Sequence, residues 1–483
     1  MSFKKINLFI FSVLLVLMGI TFLFPQDKIV IAGYDIKYPS FEKFWNKKKV
    51  VHKDISKVEK QFDDKQLEVN TICDTCAGGQ YTVIETEPEE FAKEPVQVPI
   101  IVPDGLKGQW NAMFEKFANA KGEKVRVIHY GDSQLEGDRI TGYLREKFQS
   151  TYGGNGPGFV PVMPVYNQIA VKIENIGDWR REAIFDQTQK MIEDKRYGLW
   201  CSYTTMNKVV LPDSLKDSTL LTDGAEFKVL ISASGRAFAH ARTFSELSLH
   251  YGDVEGDLTI EITQAGAPIH SAKLDTGNYY KELRVNFTNT SDIVVNFKGK
   301  GNAKLFGFTF ENGPGLYMDN VAMRGSSGTI FTKMNGNLLS QMGAKRNPAL
   351  VIMQFGGNSV PHLDSPKGAY SYANWMVSQI NRIKRACPNA CILFIGPSDM
   401  STLIEEQYQS YPYLGDMIEA LKAMCIKQNV AYFDLCATMG GLNSMPTWVE
   451  KGYAASDYTH FAPAGTRIVS ELLFKALMNS KNP

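Results

Sequence analysis

Hydrophobic and polar positions follow two rhythms along this chain, and the change between them divides it. From residue 108 the pattern is mixed: an amphipathic stretch over 108–120, a β-type run over 125–130 and a second amphipathic stretch over 135–148. Apolar residues recurring every three or four positions put one helix face on a core, whereas short runs rich in Val, Ile and Tyr suit strands. A glycine-rich segment at 152–157 ends that rhythm. Short β-type runs then dominate, at 227–232, 247–251, 258–263, 283–287, 293–297 and 303–310, between Gly, Asp and Asn turns, and this spacing predicts a β-sandwich insert. After Gly313-Pro314-Gly315 the first rhythm resumes, with strands expected at 316–323, 349–355, 391–395 and 431–435 and helices at 370–386, 414–427 and 464–478. With 125–130 these make five crossover-linked strands, so the fold class is α/β, a parallel sheet covered on both faces and interrupted by an all-β insert.

Upstream, Lys4 and Lys5 precede an almost unbroken apolar run over 6–24. That is close to the ~20 residues needed to span a bilayer. The bulky Thr21-Phe22-Leu23-Phe24-Pro25 stands where a cleavage site wants small residues, which favours a signal anchor over a cleaved peptide. No cysteine follows closely, against a lipoprotein. Lysines at 28, 37, 43, 47, 48 and 49 compete with Lys4 and Lys5 for the inner side, but large domains translocate regardless of such charges. The expectation is an N-terminal transmembrane helix over 1–25, single-pass in the cytoplasmic membrane, with the bulk of the chain extracytoplasmic (periplasmic). Residues 26–107, charged and punctuated by prolines, read as a stalk or linker. The α/β domain then occupies 108–155 and 314–483, and the insert 156–313.

Composition narrows the partners. A formal charge of +1 over 483 residues leaves no basic surplus for nucleic acid. Seven cysteines, an odd and sparse set, exclude a disulfide scaffold. Cys73 and Cys76 lack the second pair that a zinc site wants and read as a local disulfide or two loop thiols. His52, His240, His250 and His270 are scattered, so no metal and no cofactor are expected.

The candidate chemistry is split. Gly131-Asp132-Ser133 follows the 125–130 strand, Gly356-Gly357-Asn358 follows the 349–355 strand, and Asp457 stands three residues before His460 ahead of the last helix. Together they supply a nucleophile, an amide donor and a base oriented by an acid, each just past a strand, at the sheet edge where open α/β folds bind ligands. Ser133 is placed at a strand-to-helix turn, where unpaired N–H groups point at developing anions. Asp132 reads as a turn former, His129 as a packed strand residue, Arg324 as a strand-end cap, and His362 as either groove-lining or simply exposed.

These blocks resemble the SGNH or GDSL-type esterases and lipases, named for the Ser, Gly, Asn and His of four blocks. His129-Tyr130-Gly131-Asp132-Ser133-Gln134 is similar to the first, Met323-Arg324-Gly325-Ser326-Ser327-Gly328-Thr329 to the second, Gln354-Phe355-Gly356-Gly357-Asn358-Ser359 to the third and Asp457-Tyr458-Thr459-His460 to the last. The resemblance covers about residues 108–155 and 314–480 and implies a flavodoxin-like three-layer α/β/α fold. It implies Ser133, Asp457 and His460 as the catalytic residues, and Ser133, Gly328 and Asn358 as the oxyanion hole. Gln134 replaces the family's leucine, Ser359 stands where an aspartate is usual, and the insert accounts for the long gap between Ser133 and Gly328.

A β-sandwich placed after Gly153-Gly154-Asn155-Gly156 resembles, more narrowly, the peptidoglycan O-acetylesterases with a carbohydrate-binding-like module. That implies an acetylated glycan as substrate and removal of O-acetyl groups from a cell-envelope or exported polysaccharide. The alternative is a membrane-anchored polysaccharide O-acetyltransferase using the same triad, supplied by a membrane-bound acyltransferase partner. A third reading, a non-catalytic glycan-binding envelope protein, is disfavoured by the complete set of site residues.

Overall fold

The computed structural model describes residues 53–61, 98–166, 168–207, 227–288 and 292–483, with short stretches between residues 9 and 37. Five strands form a parallel sheet: β1 Lys124–Gly131, β2 Gly315–Ala322, β3 Leu350–Gln354, β4 Cys391–Ile395 and β5 Ala431–Phe433. Their order is β2-β1-β3-β4-β5. Chain direction across the sheet therefore reverses between β1 and β3, and at such a switch point the loops leaving the two strands diverge to open a crevice.

Alternation along each strand sends side chains to two cores. Val125 and Val127 of β1 and Leu350 and Ile352 of β3 join a cluster with α1 Lys107–Ala118, α2 Arg139–Tyr152 and the last helix, Pro463–Asn479. Ile128, Tyr130, Val351 and Met353 point the other way, onto α3 Gly336–Arg346, α4 Pro366–Ala386 and α5 Leu414–Lys427. The helix α4 shows why the sequence folds so. Pro366 starts it with a ring already set to helical φ, and Ala369, Tyr372, Ala373, Met376, Ile380 and Ile383 are buried at three- and four-residue spacing. Burying each large apolar side chain contributes ~1.5–3 kcal/mol.

The β-rich segment forms two antiparallel sheets whose inner faces share one core containing Val229, Ile260 and Val295 from one sheet and Leu249, Leu305 and Phe308 from the other. Ser202–Met206, Trp179–Ala183, Val171–Ile176 and Ala267–Lys273 are strands that periodicity did not reveal. Three of these four end a sheet, where one side of the strand is free of partners in that sheet and apolar alternation is relaxed; the fourth, Ser202–Met206, lies one place inside. The segment also reaches into the α/β core: Leu199 O accepts from Tyr130 Oη at 2.7 Å, and Asp319 of β2 accepts from the Phe159 N–H and the Trp200 indole.

Two expectations are corrected. No helix among the described residues is long and apolar enough to cross a membrane, which overturns the transmembrane helix over 1–25 and the single-pass placement with a periplasmic domain that rested on it. Of the apolar run at 6–24, residues 9–13, 15–16 and 18–19 are among the described ones, and the rest lies outside them. Second, the helix expected over 135–148 begins only at Arg139, because Gly137 and Asp138 both adopt left-handed backbone (φ 67° each). Cys73, Cys76 and most of 26–107 lie outside the described residues; within that stretch Ile55 and Val58 are buried, and Ile101 bridges Tyr432 of β5.

Candidate active site

Ser133 opens a 3₁₀ turn, Ser133–Asp138, directly after β1. Gly131 suits that turn: a Cβ there would lie 2.7 Å from Leu135 Cδ1 and 3.2 Å from Gln354 O, so a side chain would displace Leu135 and crowd the neighbouring strand. Asp132 caps it, its Oδ1 accepting from the Gln134 N–H at 3.0 Å. The first N–H groups of such a turn have no partner within it. His460 and Asp457 come from the loop before the last helix. There one carboxylate does three things: Oδ1 accepts from the backbone N–H groups of Thr459 and His460 (3.0 Å each), and Oδ2 lies 2.7 Å from His460 Nδ1. The three-residue spacing suits this because the chain turns back on the aspartate, with Tyr458 left-handed (φ 56°) and its ring stacked on Tyr408 at 3.6 Å.

His460 Nε2 faces Ser133 Oγ at 2.8 Å. A carboxylate can only accept, so Nδ1 carries the proton and Nε2 turns its lone pair to the serine. Burial alone would raise the Asp457 carboxyl, but the His460 backbone and ring and the Thr459 N–H outweigh it and hold it below the usual carboxylate range. It is therefore an anion at neutral pH. The sequence-predicted Ser133, Asp457 and His460 thus stand in one hydrogen-bonded row.

Asn358 lies on the turn after β3, across the switch point. Both hydrogens of its amide are engaged, with Asp132 Oδ2 and Ser326 O at 3.2 Å each. Burial pushes the Asp132 carboxyl up to about 6, against the pull of the Gln134 N–H. Gly328 sits beside this turn in left-handed backbone (φ 78°), and a Cβ there would lie 2.6 Å from the Phe355 ring. Its N–H donates to Ser326 Oγ at 3.1 Å. Ser133, Asn358 and His460 line a cleft of about 230 Å³, walled further by Phe355, Pro397, Met400 and Tyr411.

The remaining candidates separate cleanly. His362 lines the same cleft. His129 is fully buried, hydrogen-bonded to Thr141, and pushed down to about 3 by that burial, so it is a neutral packed ring. Arg324 does not cap its strand; it pairs with Glu136 at the surface. Among the described residues no group of three or more His, Cys, Asp or Glu side chains is placed to hold a metal ion. Sequence reasoning missed Arg139, whose guanidinium donates to Ser133 O at 2.7 Å, and the reach of the Gln134 amide to Thr459 O at 2.8 Å. The one signal available was a polar amide at 134 where leucine is usual.

Residues 298–468 match the model of the GDSL-like lipase/acylhydrolase family. The chain carries a GDSL-type ester-hydrolase domain. The match contains Gly328, Asn358, Asp457 and His460 and begins after the β-rich segment, so Ser133 lies outside it and joins the others only through the fold. A solved structure described as a peptidoglycan O-acetylesterase superposes with a TM-score of 0.59 at 19% identity, over 77% of this chain and 95% of that one. A family two carbohydrate esterase from Clostridium thermocellum, in complex with cellohexaose, covers 63% of this chain and 97% of its own at 11% identity and a TM-score of 0.25. No curated protein matches the chain.

Proposed function

We propose that this ester hydrolase removes small acyl groups, acetyl foremost, from the hydroxyls of a glycan through an acyl-serine at Ser133. The observation that carries the reading is the row Ser133 Oγ, His460 Nε2, His460 Nδ1, Asp457 Oδ2, joined at 2.8 and 2.7 Å and opening on a cleft that also holds the Asn358 amide. In it, Ser133 Oγ bonds to the ester carbonyl carbon as its proton passes to His460 Nε2. The imidazolium returns that proton to the sugar oxygen when the C–O bond breaks. Water repeats the sequence on the acyl-serine, releasing the carboxylic acid and restoring Ser133.

The negative oxygen of each tetrahedral state calls for donors, and the Ser133 N–H, the Gly328 N–H and the Asn358 amide are the proposed set. Gly328 serves only by exchanging its bond to Ser326 Oγ, and Asn358 only by releasing its long bond to Ser326 O, exchanges of a neutral acceptor for a charged one that favour the oxyanion because the charged acceptor forms the stronger bond. Asn358→Ala is expected to lower kcat by about 10²- to 10³-fold with KM little changed. A loss below threefold in initial-rate kinetics removes Asn358 from that role.

A glycan is the substrate to try first because the fold is shared with a protein described as a peptidoglycan O-acetylesterase, along almost its whole length. The test offers O-acetylated peptidoglycan and O-acetylated xylan to the protein and follows acetate, with mass spectrometry of the Ser133 peptide after a rapid acid quench. Acetate release with an acetyl adduct on Ser133 is expected. Release from neither glycan while a small aryl acetate turns over ends the glycan reading; an adduct elsewhere ends the assignment of Ser133. Acetate withheld from water and delivered to an added unacetylated glycan identifies a transferase instead.

A further inference from the structure

Ser133 and His460 stand 327 positions apart in the chain, so local structure does nothing to bring Oγ and Nε2 together. Side-chain bonds between their two loops must do so, and three of them bracket the histidine. The Gln134 carboxamide donates from Nε2 to Thr459 O at 2.8 Å, and its Oε1 accepts from the Phe461 N–H at 3.4 Å. One planar group thus holds the residue before His460 and the residue after it. Arg139 completes the tie, donating from Nη1 to Phe461 O at 3.3 Å, from Nη2 to Ser133 O at 2.7 Å and from Nε to Glu136 O at 2.9 Å. Gln134 is 8% exposed, so little water competes for its bonds.

We propose that Gln134 is a positioning residue: its amide fixes the 459–461 loop against the nucleophile turn, with Arg139 bracing the far side, and so sets how often the Ser133–His460 bond is made. This rests on the esterase reading of Ser133. The role needs a donor and an acceptor in one plane. Leucine supplies neither. A glutamate carboxylate supplies only the acceptor and sets a negative charge against Thr459 O, whereas the protonated acid restores both functions in nearly the same shape.

The experiment measures initial rates on a small neutral aryl acetate for wild type, Gln134→Leu and Gln134→Glu, with thermal unfolding of each. Gln134→Leu is expected to lose about 10- to 100-fold in kcat, with KM within twofold, because a misplacement near 1 Å costs that much. Gln134→Glu is expected to share the loss at about pH 8 and to recover relative to wild type, at least fivefold, as the pH falls toward about 5, because burial at this position and the facing Thr459 O raise its carboxyl above the ordinary value of about 4.3. Taking the ratio to wild type cancels the titration of the shared catalytic groups, and a packing defect alone does not produce a pH-dependent rescue. Expressed per folded protein, the ratio stays readable should the leucine variant unfold. Kinetics within twofold of wild type, a loss carried by KM, or a ratio flat in pH overturns the proposal. Those results with an active wild type sink the positioning role alone; a wild type that hydrolyses no ester sinks the esterase reading and this role with it.

Discussion

Ser133→Ala is expected to lower kcat for a small acetate ester by about 10⁴- to 10⁶-fold, with little change in KM or unfolding temperature. The size follows from the proposed mechanism, in which Oγ is the atom that bonds to carbon and, at 2.8 Å from His460 Nε2, loses its proton along a bond already made. Removing it leaves a base with nothing to activate. His460→Ala should cost about as much, and the double variant little more, because the two act as one unit. Asp457→Asn is expected to cost about 10⁴-fold. An amide at 457 presents N–H groups as well as an oxygen, and that oxygen cannot serve both the Thr459 and His460 N–H groups and the ring. Steady-state kinetics on the three single variants and the double checks this. Retention of more than a hundredth of the wild-type rate in Ser133→Ala, or strict multiplicativity of the double, defeats the triad.

Glu311→Gln is expected to destabilise the protein by ~3–5 kcal/mol, a fall in unfolding temperature on the order of 10 °C. Glu311 ends the last strand of the β-rich segment, is 1% exposed, and meets Arg346 of α3 at 3.0 Å, Arg126 of β1 at 3.1 Å and Lys124 of β1 at 2.9 Å. One carboxylate therefore answers three cations drawn from the parallel sheet and a helix covering it. With glutamine the buried Arg346 keeps only a 3.7 Å contact to Asp319, the partly buried Arg126 loses this carboxylate, and Lys124 retains Glu246 at 2.7 Å, so the weakened pairing of the two arginines sets the cost. The pH dependence carries its own signature. Burial alone would raise the Glu311 carboxyl, but Arg346, Arg126 and Lys124 outweigh it and hold it well below the usual carboxylate range. A folded pKa below the unfolded one gives stability that is full above the unfolded value of about 4.3 and is lost as pH falls below it toward the folded value. Calorimetry across that range should find a shallower acid slope in Glu311→Gln than in wild type. Equal slopes, or a shift in unfolding temperature within 2 °C at neutral pH, would remove the cluster as a stabilising junction.

Much of this molecule was legible in one dimension. The five strands at 124–131, 315–322, 350–354, 391–395 and 431–433 fall on the expected runs, since strands buried on both faces read as apolar blocks and the helices between them show a clean buried stripe. Strands of the β-rich segment such as Ala267–Lys273, half exposed at a sheet edge, escaped notice because they carry no such stripe. The transmembrane helix expected over the apolar run at 6–24 is not matched by any helix of that length and character among the described residues.

For the site the division is between identity and placement. Residue types and local spacing determined which groups are proposed to carry chemistry: a serine after a glycine-permitted turn, and an aspartate three before a histidine so that one carboxylate both turns the loop and holds the ring. Only the tertiary structure decided that these meet. The distance from Ser133 to His460 rests on Gln134 and Arg139 reaching across from one loop to the other, and the pairing of Asn358 with Asp132 rests on β1 and β3 lying side by side. Contacts between positions hundreds of residues apart leave no periodicity in the chain, because each is a single hydrogen bond made possible by the sheet.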